Sequence, residues 1–184
     1  QEPTRWRFTL RTGVRFHEGE EFSAEDVVFT ITRALQPTSN FGIYVDTIDR
    51  AVAVDAHTVD IITKRPDPIL PNKLASVLVM SRSWAERNNA TRPQNTRQRE
   101  ETFTLRNTNG TGAYRLALRE PDVRTVMRRN ADWWGWAEPG QGNVQEIVYR
   151  PIGSDATRVA ALLSGEVDFV LDPPLQDLNR LRAA

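Results

Sequence analysis

The sequence contains no cysteine and almost no lysine. Without cysteine, it has no disulfide, no thiolate nucleophile and no cysteine-ligated metal site. Lysine occurs only at positions 64 and 73, so nearly all positive charge is arginine. The formal net charge is zero, which argues against a nucleic-acid partner because such domains usually carry a basic face. What remains is the composition of an ordinary globular protein.

Long apolar runs are also absent. No stretch is long enough to span a bilayer, and the first residues do not resemble a signal peptide. Because Gln1 is not a translation start, we expect a processed or excised piece whose secretory signal was lost upstream. The end at Ala184 has no obvious helix stop, which fits a cut inside a longer protein. A chain of 184 residues can form one domain or two small ones.

The most informative stretch is an acidic turn that leads into a helix. Gly19, between two glutamates, is suited to the positive φ of a tight turn. Ser23 is typical of a helix N-cap, and Asp26 completes the pattern of a capping box. Apolar residues at helical spacing then predict a helix over about 23–35 with one buried face. They are Val27, Val28, Ile31, Ala34 and Leu35.

Other patterns predict the remaining elements of the first half. Alternation of Trp6, Phe8 and Leu10 with polar residues predicts a half-buried strand. Residues 51–62 predict a hairpin. Three further segments are predicted. Residues 41–48 form a short helical turn or an irregular stretch, a proline-initiated helix runs from about 68 to 78, and a short helix covers 83–87. The polar stretch 88–102 is our candidate for a mobile loop.

The second half alternates strands and helices. Gly110 and Gly112 suggest a chain path barred to other residues, followed by a strand from Tyr114. Strands are also predicted for 123–129, 144–150 and 169–171, with a helix at 154–165 that Ser154 caps. A last helix begins at the prolines 173–174.

Five blocks, in order, resemble the family 5 extracellular solute-binding proteins, which are the peptide- and nickel-binding receptors of ABC importers. The blocks are 7–19 with 22–29, 55–59, 107–116, 130–135 and 154–168. Two positions depart from the family pattern. Ala113 replaces the proline of a Gly-Thr-Gly-Pro-Tyr block, and Trp133 replaces a common tyrosine.

The resemblance implies a partial type II periplasmic-binding-protein fold of mixed α/β class. Residues 1–105 would form a small subdomain, and 106–184 would form part of the first ligand-binding lobe. The whole protein would be a monomer in the periplasm or at the cell surface. It would capture a peptide or related small solute between two lobes and deliver it to an ABC permease, with neither cofactor nor metal. We expect the fragment alone not to bind peptide, because it lacks an early strand and the opposite lobe.

No catalytic residues are predicted, and the ligand-binding candidates come from an irregular polar stretch. They are Arg106, Asn107, Thr108 and Asn109. Irregular polar backbone between two subdomains suits the wall of a ligand site. A plain linker is the alternative. A phosphate loop is not favoured at the following glycines, because neither a Walker lysine nor a helical pattern follows.

Three other groups suggest chemistry. His17 with Glu18, Glu20 and Glu21 has metal-ligating atoms, but we interpret these residues as a solvated turn. Trp133, Trp134 and Trp136 could stack on a ligand, but they are more typical of a small satellite core. Carboxylate pairs such as Glu120 with Asp122, or Glu166 with Asp168, would be needed for a carbohydrate-active enzyme. That enzyme and a structural or partner-docking module remain the alternatives to a solute receptor.

Overall fold

A computed structural model describes residues 3–140 and 142–183; both chain ends considered above, Gln1 and Ala184, lie outside them. The first sheet contains β1 (Arg5–Thr9), β2 (Ile48–Asp55) and β3 (Thr58–Thr63). All pairings are antiparallel and the order is β1-β3-β2. The predicted first strand and hairpin are therefore confirmed, and β3 is the central strand.

The helix α1 (Ala24–Ala34) packs against this sheet and confirms the helix predicted after the acidic turn. The Asp26 carboxylate accepts from the backbone N–H of Ser23 at 2.9 Å, as in a capping box. The Ser23 hydroxyl also donates to the same carboxylate, at 3.1 Å. The apolar face of α1 joins a core of fully buried side chains. These are Ile31, Ala34, Val45, Ile48, Ile61 and Leu70.

Three short helices follow: α2 (Gly42–Val45), α3 (Leu70–Leu74) and α4 (Arg82–Arg87). The helix predicted to run to about residue 78 ends at Leu74. Beyond it the chain crosses α1, where the Met80 N–H donates to the Thr30 hydroxyl at 2.9 Å. This contact replaces the helical hydrogen bonds that a longer α3 would have made.

The polar stretch after α4 is irregular, with 3₁₀ turns at Thr96–Gln98 and Phe103–Leu105. This stretch is bound to α1, because the Arg33 guanidinium donates to the carbonyls of Ala90 and Arg92 at 3.1 Å each. Its mobility stays a prediction.

The second sheet contains β4 (Tyr114–Glu120), β5 (Arg124–Arg129) and β6 (Glu146–Tyr149), in the order β4-β5-β6. A 3₁₀ turn, Trp134–Ala137, precedes β6. The helix α5 (Asp155–Leu163) starts as predicted, since the Ser154 hydroxyl accepts from the Thr157 N–H at 3.3 Å. A 3₁₀ turn at Leu175–Asp177 leads into α6 (Leu178–Arg182). The mixed α/β class is confirmed.

Two expectations in the second half are wrong. Residues 169–171 are not a strand: Phe169 and Leu171 are 76% and 62% exposed. A strand needs a hydrogen-bonding neighbour, and none of the described strands lies beside this segment. Gly110 and Gly112 do not have positive φ, so their backbone is open to other residues.

No helix within the described ranges is long and apolar enough to cross a membrane. The first sheet precedes residue 106 in the sequence and the second sheet follows it. We call the described residues up to 105 the first region and those from 106 onward the second region. The exact boundary at 105–106 stays a prediction.

Candidate functional site at the junction of the two regions

The acidic turn, residues 16–21, is closed by hydrogen bonds within the loop. The backbone N–H of Phe16 donates to the Glu20 carbonyl at 2.8 Å, and Gly19 has the predicted positive φ of 98°. The Arg15 guanidinium closes the turn from outside by donating to the carbonyl of Gly19 and to the Glu21 carboxylate, at 3.0 and 2.9 Å. The turn therefore offers a fixed set of polar groups to its neighbours.

Asn109 connects this turn to the crossover segment, which we define as residues 106–113. Its side chain is buried, although Asn is a polar residue. The side-chain oxygen accepts from the Glu18 N–H at 3.1 Å, and the side-chain nitrogen donates to the Glu20 carboxylate at 2.9 Å. One side chain thus satisfies two groups of the turn.

Glu18 and Glu20 of the turn also bind α4. The Glu18 carboxylate accepts from the indole N–H of Trp84 at 2.7 Å. The Arg87 guanidinium donates to Glu18 at 3.1 Å and to Glu20 at 2.6 Å. Burial alone would raise the pKa of Glu20, but hydrogen bonds from Arg87 and Asn109 outweigh it and hold that pKa below its ordinary value. Glu20 is therefore ionised in the folded protein at neutral pH.

His17 makes the third connection. Its backbone N–H donates to the Gly110 carbonyl at 2.8 Å, and its Nε2 lies 3.0 Å from the Gly112 carbonyl oxygen. A carbonyl only accepts, so Nε2 carries the proton and Nδ1 is left to accept from the Gly110 N–H at 3.4 Å. Burial, with a smaller contribution from the charge of Arg115, lowers the pKa of His17. The neutral ring fits both contacts.

The interpretation of 17–21 as a solvated turn is therefore wrong for His17 and Glu20, which are half-buried, whereas Glu18 and Glu21 are exposed as predicted. The sequence shows charged residues beside a glycine, but the hydrogen-bonding partners of these residues lie about 70 to 90 residues away in the chain. No short-range pattern contains that information. Within the described part of the chain, no group of three or more His, Asp or Glu side chains is placed to hold a metal ion.

The four predicted ligand-binding residues separate into two kinds. Arg106, Asn107 and Thr108 are exposed. The Asn107 side-chain nitrogen donates to the Phe103 carbonyl at 2.9 Å, and Arg106 lies 3.8 Å from the Glu101 carboxylate. Asn109 instead uses both polar atoms of its side chain within the protein. The first three are thus accessible from solvent and the fourth is not. A role for any of the four in binding a ligand stays a prediction.

The tryptophan cluster packs on itself, as expected of a satellite core. The ring centroid of Trp133 lies 5.2 Å from that of Trp134 and 4.9 Å from that of Trp136. The Trp136 indole N–H donates to the Asn130 carbonyl at 2.6 Å. Gly135 is required by this packing, because a Cβ there would lie 2.4 Å from the Trp133 ring. The cluster thus has a structural reason to exist without a ligand.

The acidic pairs that suggested an enzyme engage arginines. Glu120 accepts from Arg124, and Glu166 accepts from Arg150 at 3.0 Å. These contacts are exposed ion pairs, which contribute little to stability.

Comparison with known proteins assigns the family. The sequence model of the bacterial extracellular solute-binding proteins, family 5 middle region, matches residues 1–184. The chain belongs to this family. The resemblance predicted from the ordered blocks is confirmed, and a solute-binding family supports a receptor over a carbohydrate-active enzyme.

Individual relatives are named for different ligands. The glutathione-binding protein GsiB of Shigella flexneri is 27% identical over 176 residues, which make up 94% of this chain and 31% of that protein. The dipeptide-binding protein of Pseudoalteromonas sp. SM9913, solved with Met-Leu, has a TM-score of 0.79 at 24% identity, covering 100% of this chain and 38% of its own. The periplasmic binding protein AgaA of A. tumefaciens R10, solved with agropinic acid, has a TM-score of 0.79 at 20% identity, with coverage of 100% and 35%.

The chain therefore spans about a third of the length of these relatives. It has the fold of part of a type II periplasmic binding protein.

Proposed function

We propose that this chain is the part of an ABC-importer receptor that supports a peptide-binding cleft, within a protein that captures its solute between two lobes. The family match over residues 1–184 carries the proposal. In the whole protein the lobes would close by hinge motion and present the solute to a membrane permease. The receptor would act as a monomer in the periplasm or at the cell surface.

The solute class we favour is a short peptide or a related small molecule. An extended peptide can be held by main-chain hydrogen bonds, which leave its side chains loosely specified. The names of the relatives, which include a glutathione-binding and a dipeptide-binding protein, support this class.

Within this chain, we assign the cleft wall to the exposed part of the crossover segment. Arg106 would donate charge-assisted hydrogen bonds to a peptide carboxylate, while Asn107 and Thr108 would bind main-chain groups. Asn109 would hold the wall in place, because its side chain binds the turn at Glu18 and Glu20. On this proposal 1–105 is a supporting subdomain and 106–184 is part of the first lobe.

A thermal-shift screen of the full-length receptor that carries these residues tests the ligand class. We expect pooled di- to pentapeptides to raise its melting temperature, because a ligand that binds only the native state stabilises it by mass action. Sugars and nickel chelates should give no shift. A shift with either of these and none with peptides would overturn the proposed class.

The wall residues are tested by titrating the best peptide into variants of the same receptor. Thr108→Ala and Arg106→Gln should each weaken binding about tenfold, since each removes a hydrogen bond to the ligand. Arg119→Gln is the control, because Arg119 is exposed on β4 and donates to Thr125 at 2.7 Å. If all three variants bind the peptide as tightly as the unchanged receptor does, the crossover segment is only a linker. The 184-residue chain alone should not bind the peptide; one-to-one micromolar binding would contradict that expectation.

A further inference from the structure

An apolar cavity of about 240 Å³ lies between β1, α1 and the strap, which we define as residues 75–80. Ten of its twelve lining residues are apolar, and they include Phe8, Val27, Ile31 and Leu74. Of the two threonines, Thr30 already accepts a hydrogen bond from the strap at 2.9 Å. The walls therefore suit hydrocarbon, because they leave a polar ligand group without partners.

A second cavity of about 310 Å³ adjoins the first. The two share three lining residues, Phe22, Val77 and Val79. The second cavity is different at its far side, where Arg11 and Trp134 line it. An apolar chamber thus adjoins a chamber that carries a positive charge.

The guanidinium of Arg11 has hydrogen-bonding capacity to spare. It lies 4.1 Å from the centroid of the Trp134 ring, and it makes no hydrogen bond or ion pair with any residue in 3–140 or 142–183. Neighbouring arginines differ: Arg7 binds Asp60 through two nitrogens, at 2.7 and 2.8 Å, and Arg15 binds Glu21. A guanidinium that lies over an indole ring still has N–H groups free to donate, and a carboxylate can accept two parallel hydrogen bonds from them.

On this arrangement, a ligand would enter the cavities past the strap. It belongs to no helix or strand, so its side chains can shift without breaking a hydrogen-bond ladder. Leu78 at its centre is 81% exposed, whereas Val77 and Val79 on either side line both cavities.

We propose that these paired cavities bind a small amphipathic monocarboxylate, with its alkyl chain in the apolar chamber and its carboxylate on Arg11. The apolar chamber is slightly smaller than the roughly 300–1,000 Å³ of drug-sized sites, which selects a short or medium alkyl chain. The second cavity reaches the crossover segment at Thr111, but neither cavity is lined by Arg106, Asn107 or Thr108, which form the proposed cleft wall. The carboxylate site therefore does not depend on the proposed peptide cleft.

Calorimetric titration of the full-length receptor with octanoate tests this site. We expect one-to-one binding that weakens about fourfold for each methylene removed on going to hexanoate. Octylamine, with the same chain and the opposite charge, should bind at least tenfold more weakly. Absence of saturable octanoate binding, or equal binding of octylamine, would overturn the proposal.

Variants locate the carboxylate. Arg11→Met keeps most of the apolar stem and should weaken octanoate binding about tenfold or more, the usual effect of losing a charged hydrogen bond. Arg50→Met is the matched control, because Arg50 is an exposed arginine that pairs with Asp49 on β2. It should leave the affinity unchanged. A loss in both variants, or in neither, would contradict a carboxylate site at Arg11.

Methyl NMR of the same protein locates the alkyl chain. Nuclear Overhauser effects from octanoate should reach the methyl groups of Ile31 and Val77 but not those of Ile147 on β6. A peptide ligand should not displace octanoate. Displacement, or contacts to Ile147 alone, would place octanoate elsewhere and overturn the assignment.

Discussion

The first sheet buries large apolar side chains against α1, although Val52 and Val54 on β2 are 43% and 47% exposed, whereas no apolar side chain of β4, β5 or β6 is buried. Ile31, Ile48 and Ile61 around the first sheet are at most 2% exposed. On β6, Val148 and Tyr149 are 49% and 53% exposed. Beyond residue 105, the buried hydrophobic side chains of the described part are Val159 and Ala161. The first region therefore completes a core from its own residues, and the second does so only in small patches.

This difference in burial indicates which region contributes more to the free energy of unfolding. Burial of apolar surface is the dominant favourable term in folding, so the first region should hold most of the unfolding free energy. Exposed apolar surface of the kind seen on β6 marks a surface that gains by being covered. The junction at Asn109 and His17 joins the better-packed region to the less-packed one.

The largest effect is expected in the first core. Ile61→Ala should lower the free energy of unfolding by about 2–5 kcal/mol, because it leaves a cavity in the central strand. Leu171→Ala, at an exposed position of the second region, should change it by less than about 0.5 kcal/mol. Urea denaturation of both variants measures the contrast. Equal losses would show that the two regions do not differ in the way described.

A smaller effect is expected in the tryptophan cluster of the second region. Gly135→Ala should cost about 1–3 kcal/mol, because the new methyl group overlaps the Trp133 ring. Gly142→Ala is the control, since nothing lies within 4 Å of a Cβ there. Near-ultraviolet circular dichroism and thermal melts of the two variants are compared. An unchanged tryptophan signal in Gly135→Ala would mean that the cluster is not tightly packed.

The junction gives the next contrast. Asn109→Ala should cost about 1–3 kcal/mol, because it leaves the Glu18 N–H and the Glu20 carboxylate short of a partner. Asn107→Ala changes the same residue type two positions away, at an exposed site, and should cost less than about 0.5 kcal/mol. Chemical denaturation separates the two. If Asn107→Ala costs as much, the junction has been misassigned.

The smallest effect is a dependence on pH. Because the pKa of His17 is lowered below 6.5 in the folded protein, the unfolded chain takes up the proton first as the pH falls. Its contribution to stability is therefore constant above about pH 6.5 and is lost below it, down to the folded pKa. Melting temperatures between about pH 8 and pH 5 should fall less steeply in His17→Gln than in the unchanged protein.

Asn107→Ala is the control for that measurement, because it changes an exposed residue that does not titrate. It should keep the pH dependence of the unchanged protein. The same slope in all three proteins would show that His17 does not couple folding to pH.

Much of the local structure was predictable from neighbouring residues. The capping pattern at Ser23 and Asp26 predicted the start of α1, and the alternation in 51–62 predicted the β2–β3 hairpin. Such signals depend on side chains within one turn of a helix or one pleat of a strand. The strand at 169–171 failed for the opposite reason, because strand formation also requires a partner from elsewhere in the chain.

The candidate site was predictable only in part. The polar character of 106–109 was visible, but nothing in the sequence separated the buried Asn109 from the exposed Asn107. The apolar cavity was hidden as well, because its walls come from β1, α1, β3 and the strap. Their residues are ordinary core residues when taken one segment at a time.

By itself, the sequence determined most of the helix and strand positions, the family and the mixed α/β class, because these follow from local periodicity, capping and ordered blocks. Only the tertiary structure decided which polar residues are buried, how the acidic turn binds Asn109, and that Arg11 faces a cavity. The physical reason is that such contacts join residues far apart in the chain. Their free energy depends on burial and distance, which the order of residues does not contain.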